Sequence, residues 1–373
     1  MRLACLSTDP GIAYGGRKGA SVHLAEMTAA LAAAGAEILL VVSAVQPGAP
    51  DPPTGVMVET LPGPAKRSTV AERLAVDPFR QSWLEQRFGA FGADALYERL
   101  ALHTAAGSGA AHRMGIPHLV EMNAPLLEEA TAYRQLEQAA AADQLERATL
   151  AGADLVLAVS RPLTSYASSR GARRVVVIPN AVSAHRCEKP PEAHVPPVAV
   201  FCGALRPWHG IETIAAAWEI LGSAAPALMV VGDGAGRQRL EAVGAEVTGF
   251  VAHDLVPAML AQADIGLAPY AADSPPYFSP LKLFDYLAAG LAVVAADLPG
   301  VSDIVDPRSA VLIRPGDAQS LSDAVAGLVV EPTRRLQLGR VGQDLVVARH
   351  TWEQRADEVL RLVGELQSQA DTA

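Results

Sequence analysis

The sequence predicts an α/β protein with two domains, each built on a parallel β-sheet covered by helices on both faces. Three observations lead to this prediction. The chain has 373 residues, more than a single hydrophobic core usually organises. Short apolar runs alternate with helical patterns along both halves, and a proline-rich stretch separates the halves. Half of the residues are hydrophobic but only 5% are aromatic, which suits small-residue helices packed closely on sheets.

The strands of the first half are predicted from apolar runs without polar alternation. Such runs indicate strands that are covered on both faces, and therefore a parallel sheet with helical crossovers. The seven runs are "RLACLS", "AEILLVVS", "GVMVET", "DALYE", "IPHLVE", "ADLVLAVS" and "RRVVVIP".

The first helix is predicted over "SVHLAEMTAALAAAG". Leu24, Met27 and Leu31 recur at intervals of three and four residues, which is the spacing of one helix face. Ser21 is placed to cap its start, and Gly35 supplies the left-handed stop. One further long helix is expected over residues 125–150.

A linker is predicted where "EKPPEAHVPP" begins at residue 188, because four prolines in ten residues exclude helix and central strand. We therefore expect domains over 1–188 and 189–350, and an amphipathic last helix over 351–373. The predicted strands of the second half are "VAVFC", "ALMVV", "AEVTGF", "ADIGLAP", "LAVVAAD" and "AVLIRP". Its predicted helices lie near residues 210–222, 236–243, 254–262, 280–289 and 317–328.

Charge and cysteine content narrow the class of partner. The formal net charge of −10 gives no general attraction to nucleic acid or anionic lipid, so small molecules are the expected partners. Cys5, Cys187 and Cys202 lack metal-ligand spacing and are expected as reduced thiols. The sequence has no signal-peptide pattern and no run of ~18 apolar residues. These features predict a cytoplasmic protein without membrane association, and they leave its oligomeric state open.

A glycine-rich loop follows the first predicted strand as "TDPGIAYGGRKGAS". Glycines allow close approach to an anion, and the following helix offers free N–H groups, so Gly15, Gly16 and Lys18 can cradle a phosphate. A P-loop is excluded because Lys18 is followed by Gly19. A solvated surface turn is the alternative.

A second glycine loop, "VVGDGAGRQRLE", resembles the dinucleotide fingerprint at Gly232 and Gly234. Arg237 occupies the third glycine position, and the loop follows the second strand of its domain rather than the first. Both features argue against nicotinamide binding. A loop facing a nucleotide and a plain strand-to-helix turn remain as interpretations.

Two cationic side chains lie in "FCGALRPWHGIETI", after the first strand of the second half. Arg206 is suited to clamp a diphosphate because its guanidinium is always charged and forms paired bonds to phosphate oxygens. His209 is either a ligand or a packed side chain at a helix start.

The stretch "PPYFSPLKLFDYLAAG" predicts an anion site at a helix N-terminus. Ser279 and Lys282 flank the helix start, Pro280 suits its first turn, and the N–H groups of Leu281 and Lys282 can point at a diphosphate. Asp285 lies further along the helix, within reach of a ribose. The alternative makes Ser279 a helix cap and Asp285 a favourable charge near the helix dipole.

Together these motifs resemble those of the family-four retaining glycosyltransferases, which have the GT-B fold: two Rossmann-like parallel-sheet domains that face each other across a cleft holding a nucleotide-sugar. The resemblance covers essentially the whole chain. It includes "YERLALHTAAG", "LVEMNAPLLEEA", "VIPNAV", "FCGALRPWHGIET", "SPLKLFDYLAAGLAVVAADLPGV" and "HTWEQRA".

The resemblance implies that the N-terminal domain binds the acceptor, that the C-terminal domain binds the donor, and that the last helix packs back on the N-terminal domain. It implies catalytic roles for Arg206, Lys282 and His209. The implied donor-binding residues, with Asp285 on the ribose and Gly249 to Val251 near the base, are Gly15, Gly16, Lys18, Gly203, Gly232, Gly249, Phe250, Val251, Ser279, Pro280, Leu281 and Asp285. The implied acceptor-binding residues are Glu98, Arg99, His103 and Asn123.

The chain departs from the family pattern at three places. Tyr277 and Asp285 stand where many relatives carry two glutamates. Ala204 and His209 stand at the Arg and Lys of the phosphate loop, with Arg206 as a substitute. Arg99 replaces the histidine that often ends the fourth strand of the first domain.

The predicted reaction transfers a hexose-like sugar from a nucleoside-diphosphate sugar to the hydroxyl of a saccharide or other small-molecule acceptor. Cations and backbone donors stabilise the leaving diphosphate, so no metal is required, and the sequence shows no DxD-type or His/Cys ligand cluster. No cofactor is expected beyond the nucleotide-sugar co-substrate. A nucleotide-sugar epimerase of the same fold and a noncatalytic nucleotide-sugar binding protein are the alternatives.

Overall fold

The computed structural model describes residues 1–63, 68–133, 135–187 and 193–370. Contacts divide the chain into two compact units. The first unit comprises Met1–Pro179 together with the C-terminal residues from Trp352, and the second comprises Asn180–Thr351. The predicted boundary at residue 188 and the start of the predicted linker, residues 188–192, lie outside the described residues.

The first unit contains a seven-stranded sheet in which all paired strands are parallel, in the order β3-β2-β1-β4-β5-β6-β7. Each predicted run of the first half forms one of these strands, which confirms that part of the prediction. The strands are β1 (Arg2–Ser7), β2 (Glu37–Val42), β3 (Val56–Thr60), β4 (Ala95–Arg99), β5 (His118–Met122), β6 (Leu155–Ala158) and β7 (Val175–Val177).

The helices that cover this sheet differ from the prediction at two places. The helix expected over 125–150 is two helices, since Gln138 has a φ of 51° that a continuous helix excludes. Ser21 does not cap the first helix, because the N-cap residue is Lys18 and Ser21 is buried in the first turn. The helices are α1 (Gly19–Ala33), α2 (Val70–Phe91), α3 (Ala106–Met114), α4 (Leu126–Tyr133), α5 (Ala139–Gly152), α6 (Arg161–Ser169) and the last helix, α14 (Trp352–Ala370).

The second unit contains a six-stranded parallel sheet in the order β10-β9-β8-β11-β12-β13, and each strand coincides with a predicted run. Its strands are β8 (Val198–Cys202), β9 (Ala227–Val231), β10 (Glu246–Gly249), β11 (Ile265–Ala268), β12 (Ala292–Ala296) and β13 (Ala310–Ile313). Its helices are α7 (Ile211–Leu221), α8 (Arg237–Glu241), α9 (Val256–Leu260), α10 (Leu281–Ala288), α11 (Pro299–Ser302), α12 (Ala318–Val330) and α13 (Pro332–Arg349).

The inner strands of both sheets are buried on both faces, which explains why they lack polar alternation. In the second unit one hydrophobic cluster includes Val200 and Val293, and another includes Phe201 and Val294, their sequence neighbours. Adjacent residues of a strand point to opposite faces, so the two clusters lie on opposite sides of the sheet. Each sheet is therefore a rigid platform that presents the loops at its strand ends.

The described residues include no helix that is both long and apolar enough to cross a membrane.

Candidate functional site

In the second unit, the predicted donor-binding residues lie at the carboxyl ends of neighbouring strands. Gly203 follows β8, Gly232 follows β9, and Gly249 ends β10. These three strands are adjacent in the sheet. Ligands of open α/β sheets bind outside the carboxyl ends of the strands, so this edge is the candidate site of the second unit.

The glycines of the loops after β8 and β9 let two segments of backbone pack together. Gly203, Gly232 and Gly234 have φ values of 134°, 151° and 151°. A Cβ added to Gly232 would lie 2.0 Å from the carbonyl oxygen of Gly203. The N–H of Leu205 donates to the carbonyl of Asp233 at 2.9 Å. Loop packing thus accounts for the glycine pair that resembles a dinucleotide fingerprint.

We expect Gly232→Ala to lower the free energy of unfolding by about 2 kcal/mol or more, because it combines a strained φ with a backbone collision. Gly244→Ala is the matched control, since Gly244 also has a positive φ of 85° but has no atom within 4 Å of its added Cβ. Urea unfolding of both variants measures the difference. Equal losses would show that the collision at Gly232 has no effect.

Lys282 lies against two aromatic rings of the second unit, and none of the residues that the structure describes is its counterion. Its Nζ is 3.9 Å from the ring centroid of Phe201 and 6.0 Å from that of Tyr270. It makes no hydrogen bond or ion pair to any described residue. Burial lowers the pKa of Lys282 to about 7. An ammonium group in this environment is stabilised when an anion binds beside it.

Neutral His209 packs beside this lysine. Its Nδ1 donates to the carbonyl of Ala204 at 2.7 Å, and its ring lies edge-on to that of Tyr270. Burial, followed by the charges of Lys282 and Arg206, lowers the pKa of His209 to about 3. The imidazole is therefore uncharged at neutral pH, and only its Nε2 is left to accept a hydrogen bond.

Arg206 is exposed, and its guanidinium lies 5.8 Å from the ring centroid of Trp208. The guanidinium forms no hydrogen bond or ion pair with the described residues. Its N–H donors are therefore open to a ligand.

The start of α10 offers unpaired backbone donors. Pro280 is its N-cap residue, and no side chain caps the helix. The N–H groups of Leu281 and Lys282 donate to no described carbonyl. Ser279 does not cap the helix: its Oγ accepts the N–H of Asn180 at 3.0 Å. This corrects the helix-cap alternative and leaves the first turn of α10 open to an anion.

Asp285 is paired within the second unit. Its Oδ1 is 3.1 Å from Nη1 of Arg186, and both side chains are largely buried. Arg186 therefore fixes the carboxylate that was predicted to hold a ribose. This pairing joins residues 99 positions apart, and no local pattern reveals it.

The residues predicted to face a nucleotide base follow β10. Gly249 forms an isolated bridge with Gly232, Val251 is half-buried, and Phe250 is 58% exposed. An exposed phenylalanine at this edge offers a flat apolar surface for a base.

In the first unit, the glycine loop after β1 is also shaped by packing. A Cβ at Gly15 or Gly16 would lie 2.4 or 2.5 Å from a neighbouring side-chain atom. Lys18 is exposed, and its Nζ donates to the carbonyl of Gly11 at 3.2 Å. The loop precedes α1 as predicted, and its phosphate contact stays a prediction.

A buried carboxylate, Glu121, organises the predicted acceptor side. One oxygen, Oε1, accepts from Nη1 of Arg99 at 2.7 Å and from Nδ2 of Asn123. The other oxygen, Oε2, binds Nε2 of His23 at 2.6 Å and the hydroxyl of Tyr97. Neither Glu121 nor His23 was identified from the sequence, although Glu121 stands inside the quoted motif "LVEMNAPLLEEA".

Ionised Glu121 is stabilised by its neighbours. Burial alone would raise the pKa of Glu121, but the charges of His23 and Arg99 and the hydrogen bonds from His23 and Tyr97 hold it well below its usual range. The carboxylate therefore stays charged at neutral pH.

Glu98 and His103, two further residues of the predicted acceptor side, are buried, and their contact with an acceptor stays a prediction. Glu98 is only 1% exposed and binds Nε2 of His118 at 2.7 Å. Its carboxylate also lies against Gly107, where an added Cβ would be 2.4 Å away. His103 has a φ of 64° and its Nε2 contacts the carbonyl of Glu137. The burial of Glu98 does not support direct contact with an acceptor.

Metal-ligand groups are absent from the described part of the chain, where no three His, Cys, Asp or Glu residues are clustered to hold an ion.

Comparison with known proteins matches each half of the chain to a family of glycosyltransferases. The family described as "Glycosyl transferase 4-like domain" matches residues 18–181, and the family "Glycosyl transferases group 1" matches residues 196–331. The chain is similar to the putative teichuronic acid biosynthesis glycosyltransferase TuaC of Bacillus subtilis, with 31% identity over 128 residues. That match covers 34% of this chain and 32% of TuaC, so it spans about a third of the relative.

Solved structures share the fold over nearly the whole chain. Sucrose-phosphate synthase from Thermosynechococcus elongatus has a TM-score of 0.78 at 20% identity, covering 98% of this chain and 99% of that one. Anabaena HepE, solved in complex with UDP, has a TM-score of 0.70 at 17% identity, covering 97% and 100%. The chain therefore belongs to the group 1, family-four-like glycosyltransferases, and its two Rossmann-like domains have the GT-B fold.

Proposed function

We propose that this protein transfers a hexose-like sugar from a nucleoside-diphosphate sugar to an acceptor hydroxyl, with retention of configuration and without a metal ion. The observation that carries the proposal is the anion site of the second unit. There, no described residue serves as a counterion of Lys282, and no described carbonyl accepts the adjacent N–H groups at the start of α10. HepE has been solved with UDP and with UDP-glucose, which supports UDP as the nucleotide to test first.

In this mechanism the diphosphate lies against the start of α10. The N–H groups of Leu281 and Lys282, the ammonium of Lys282 and the guanidinium of Arg206 donate to its oxygens. Negative charge grows on the leaving oxygen as the sugar carbon departs, so these donors bind the transition state more strongly than the ground state. His209 is neutral and does not serve as a cation. Its Nε2 can accept a hydrogen bond from a sugar hydroxyl.

Asp285 and Phe250 complete the proposed donor site. The Asp285 carboxylate, fixed by Arg186, accepts hydrogen bonds from the ribose hydroxyls. The exposed ring of Phe250 packs on the base. The acceptor is proposed to bind the first unit near Arg99 and Asn123, so that one of its hydroxyls attacks the sugar carbon.

UDP affinity should fall as the pH rises above about 7. The pKa of Lys282 lies at about 7 in the free protein. A diphosphate favours the protonated form, so binding takes up a proton above this pH, and the dissociation constant rises by up to about tenfold per pH unit. Calorimetry in buffers of different ionisation enthalpy measures that uptake. Lys282→Arg, which keeps its charge, should show no such trend.

The direct test mixes the protein with UDP-, GDP-, ADP- and dTDP-sugars and a panel of saccharide acceptors, and follows the free nucleoside diphosphate. We expect release that depends on the acceptor, with a retained anomeric configuration in the product and no loss on treatment with EDTA. No binding and no turnover across all donors would refute the proposal. Donor binding without turnover would favour a noncatalytic binding protein, and an altered nucleotide-sugar formed without acceptor would favour an epimerase.

A further inference from the structure

We propose that Arg99 forms a subsite for a carboxylate or phosphate group on the acceptor sugar, so that the enzyme prefers an acidic acceptor. The inference rests on the proposed glycosyltransferase function and names the chemical class of its acceptor.

Arg99 is positioned by the sheet of the first unit. It is the last residue of β4, directly opposite Glu121 in the parallel register with β5. Its side chain is 10% exposed, and its Nη1 is 2.7 Å from Oε1 of Glu121. A guanidinium at the carboxyl end of a central strand lies where α/β sheets bind their ligands.

Each of the two carboxylate oxygens of Glu121 binds two side chains. Oε2 binds the side chains of His23 and Tyr97, which are 4% and 3% exposed. Oε1 binds Arg99 and Asn123, and Asn123 is only half-buried. The carboxylate therefore anchors a more accessible arginine and amide to the core.

The remaining donors of Arg99 are available. Its Nε and Nη2 donate to no described residue, and neither is among the buried polar atoms that are sealed from solvent. Arg335 provides a contrast, since its Nη1 donates to two backbone carbonyls. Nε and Nη2 form one edge of the guanidinium, and this edge matches the two oxygens of a carboxylate or phosphate.

An anion on that edge is compatible with Glu121. The bond from Nη1 to Glu121 occupies a different part of the guanidinium, and an arginine can bind two carboxylates through different N–H groups. A neutral sugar hydroxyl would use only one of the two parallel donors. The arrangement therefore favours an acceptor sugar that carries a carboxylate or phosphate over one that carries a neutral hydroxymethyl group at the same position.

The test compares matched acceptors, p-nitrophenyl glucoside and p-nitrophenyl glucuronide, in wild type, Arg99→Gln and Arg99→Lys. We expect the wild-type kcat/KM to favour the glucuronide by about tenfold or more, as a paired charge-assisted contact implies. Arg99→Gln should remove the preference, so that kcat/KM for the glucuronide no longer exceeds that for the glucoside. Arg99→Lys should restore only part of it, because lysine lacks the paired edge. Arg113→Gln, which removes an arginine 66% exposed on the same unit, is the control.

Three outcomes separate this inference from the proposed function. Turnover without any preference for the glucuronide would overturn the subsite alone. A preference that follows the donor, seen as faster use of UDP-glucuronate than of UDP-glucose, would move the anion to the donor sugar and overturn the acceptor assignment. If no donor is turned over, calorimetry of the two glycosides decides, and equal affinity in wild type and Arg99→Gln would overturn the subsite.

Discussion

Lys282→Met should lower the turnover number about 10²-fold or more, comparable with the loss of a transition-state hydrogen-bond donor. Methionine keeps the length and apolar stem of the side chain but removes the charge that we propose stabilises the leaving diphosphate. The free energy of unfolding should not fall, because the removed ammonium is disfavoured by burial and has no hydrogen bond or counterion among the described residues. Initial rates at saturating donor and urea unfolding of the same preparation measure both effects.

The matched control is Arg308→Met, which removes a cation whose side chain is 84% exposed and binds only Asp306 on the surface. It should leave turnover unchanged. Near-normal turnover in a folded Lys282→Met variant would remove this lysine from the mechanism and leave Arg206 and the start of α10 as the phosphate site.

Glu121→Ala should lower the free energy of unfolding at pH 7 by about 3–5 kcal/mol, since it leaves the charge of Arg99 buried without its carboxylate. Glu121→Gln should cost less, because the amide keeps the shape and part of the bonding. The pKa of Glu121 is held below its ordinary value in the folded state, so its stabilisation is present at neutral pH and is lost only as the pH falls below about 4. Urea unfolding at pH 7 and in acid measures the difference.

Glu37→Ala is the control for this experiment. Its carboxylate is 67% exposed and pairs with Arg2 on the surface, so its removal should cost about 1 kcal/mol or less. An equally small loss for Glu121→Ala would mean that the buried cluster adjusts without its central carboxylate, and the positioning of Arg99 would lose its basis.

The strands were predictable because a strand buried on both faces is a run of apolar residues. Such a run is visible in the local sequence without knowing which strands pair. Helix ends were less predictable. The segment over residues 125–150 has a composition that suits one long helix, but Gln138, with a positive φ, lies between α4 and α5. At α10, the hydroxyl of Ser279 binds the backbone of Asn180 rather than the helix start.

The roles of charged side chains depended on strand order, which local sequence does not contain. Glu98 and Arg99 are adjacent on β4 and looked alike as polar residues at a strand end. Their side chains point to opposite faces, so Glu98 binds His118 on one face while Arg99 binds Glu121 on the other. Only the placement of β5 beside β4 separates a buried structural carboxylate from a candidate ligand-binding residue.

The aromatic surroundings of Lys282 have a chemical consequence beyond phosphate binding. Near neutral pH a large fraction of its amines carries a free electron pair, whereas an ordinary lysine is almost wholly an ammonium ion. The side chain that we propose as an electrostatic clamp for a diphosphate is therefore expected to act as a nucleophile in the protein without nucleotide, and acylating reagents should distinguish it from the exposed amine of Lys18.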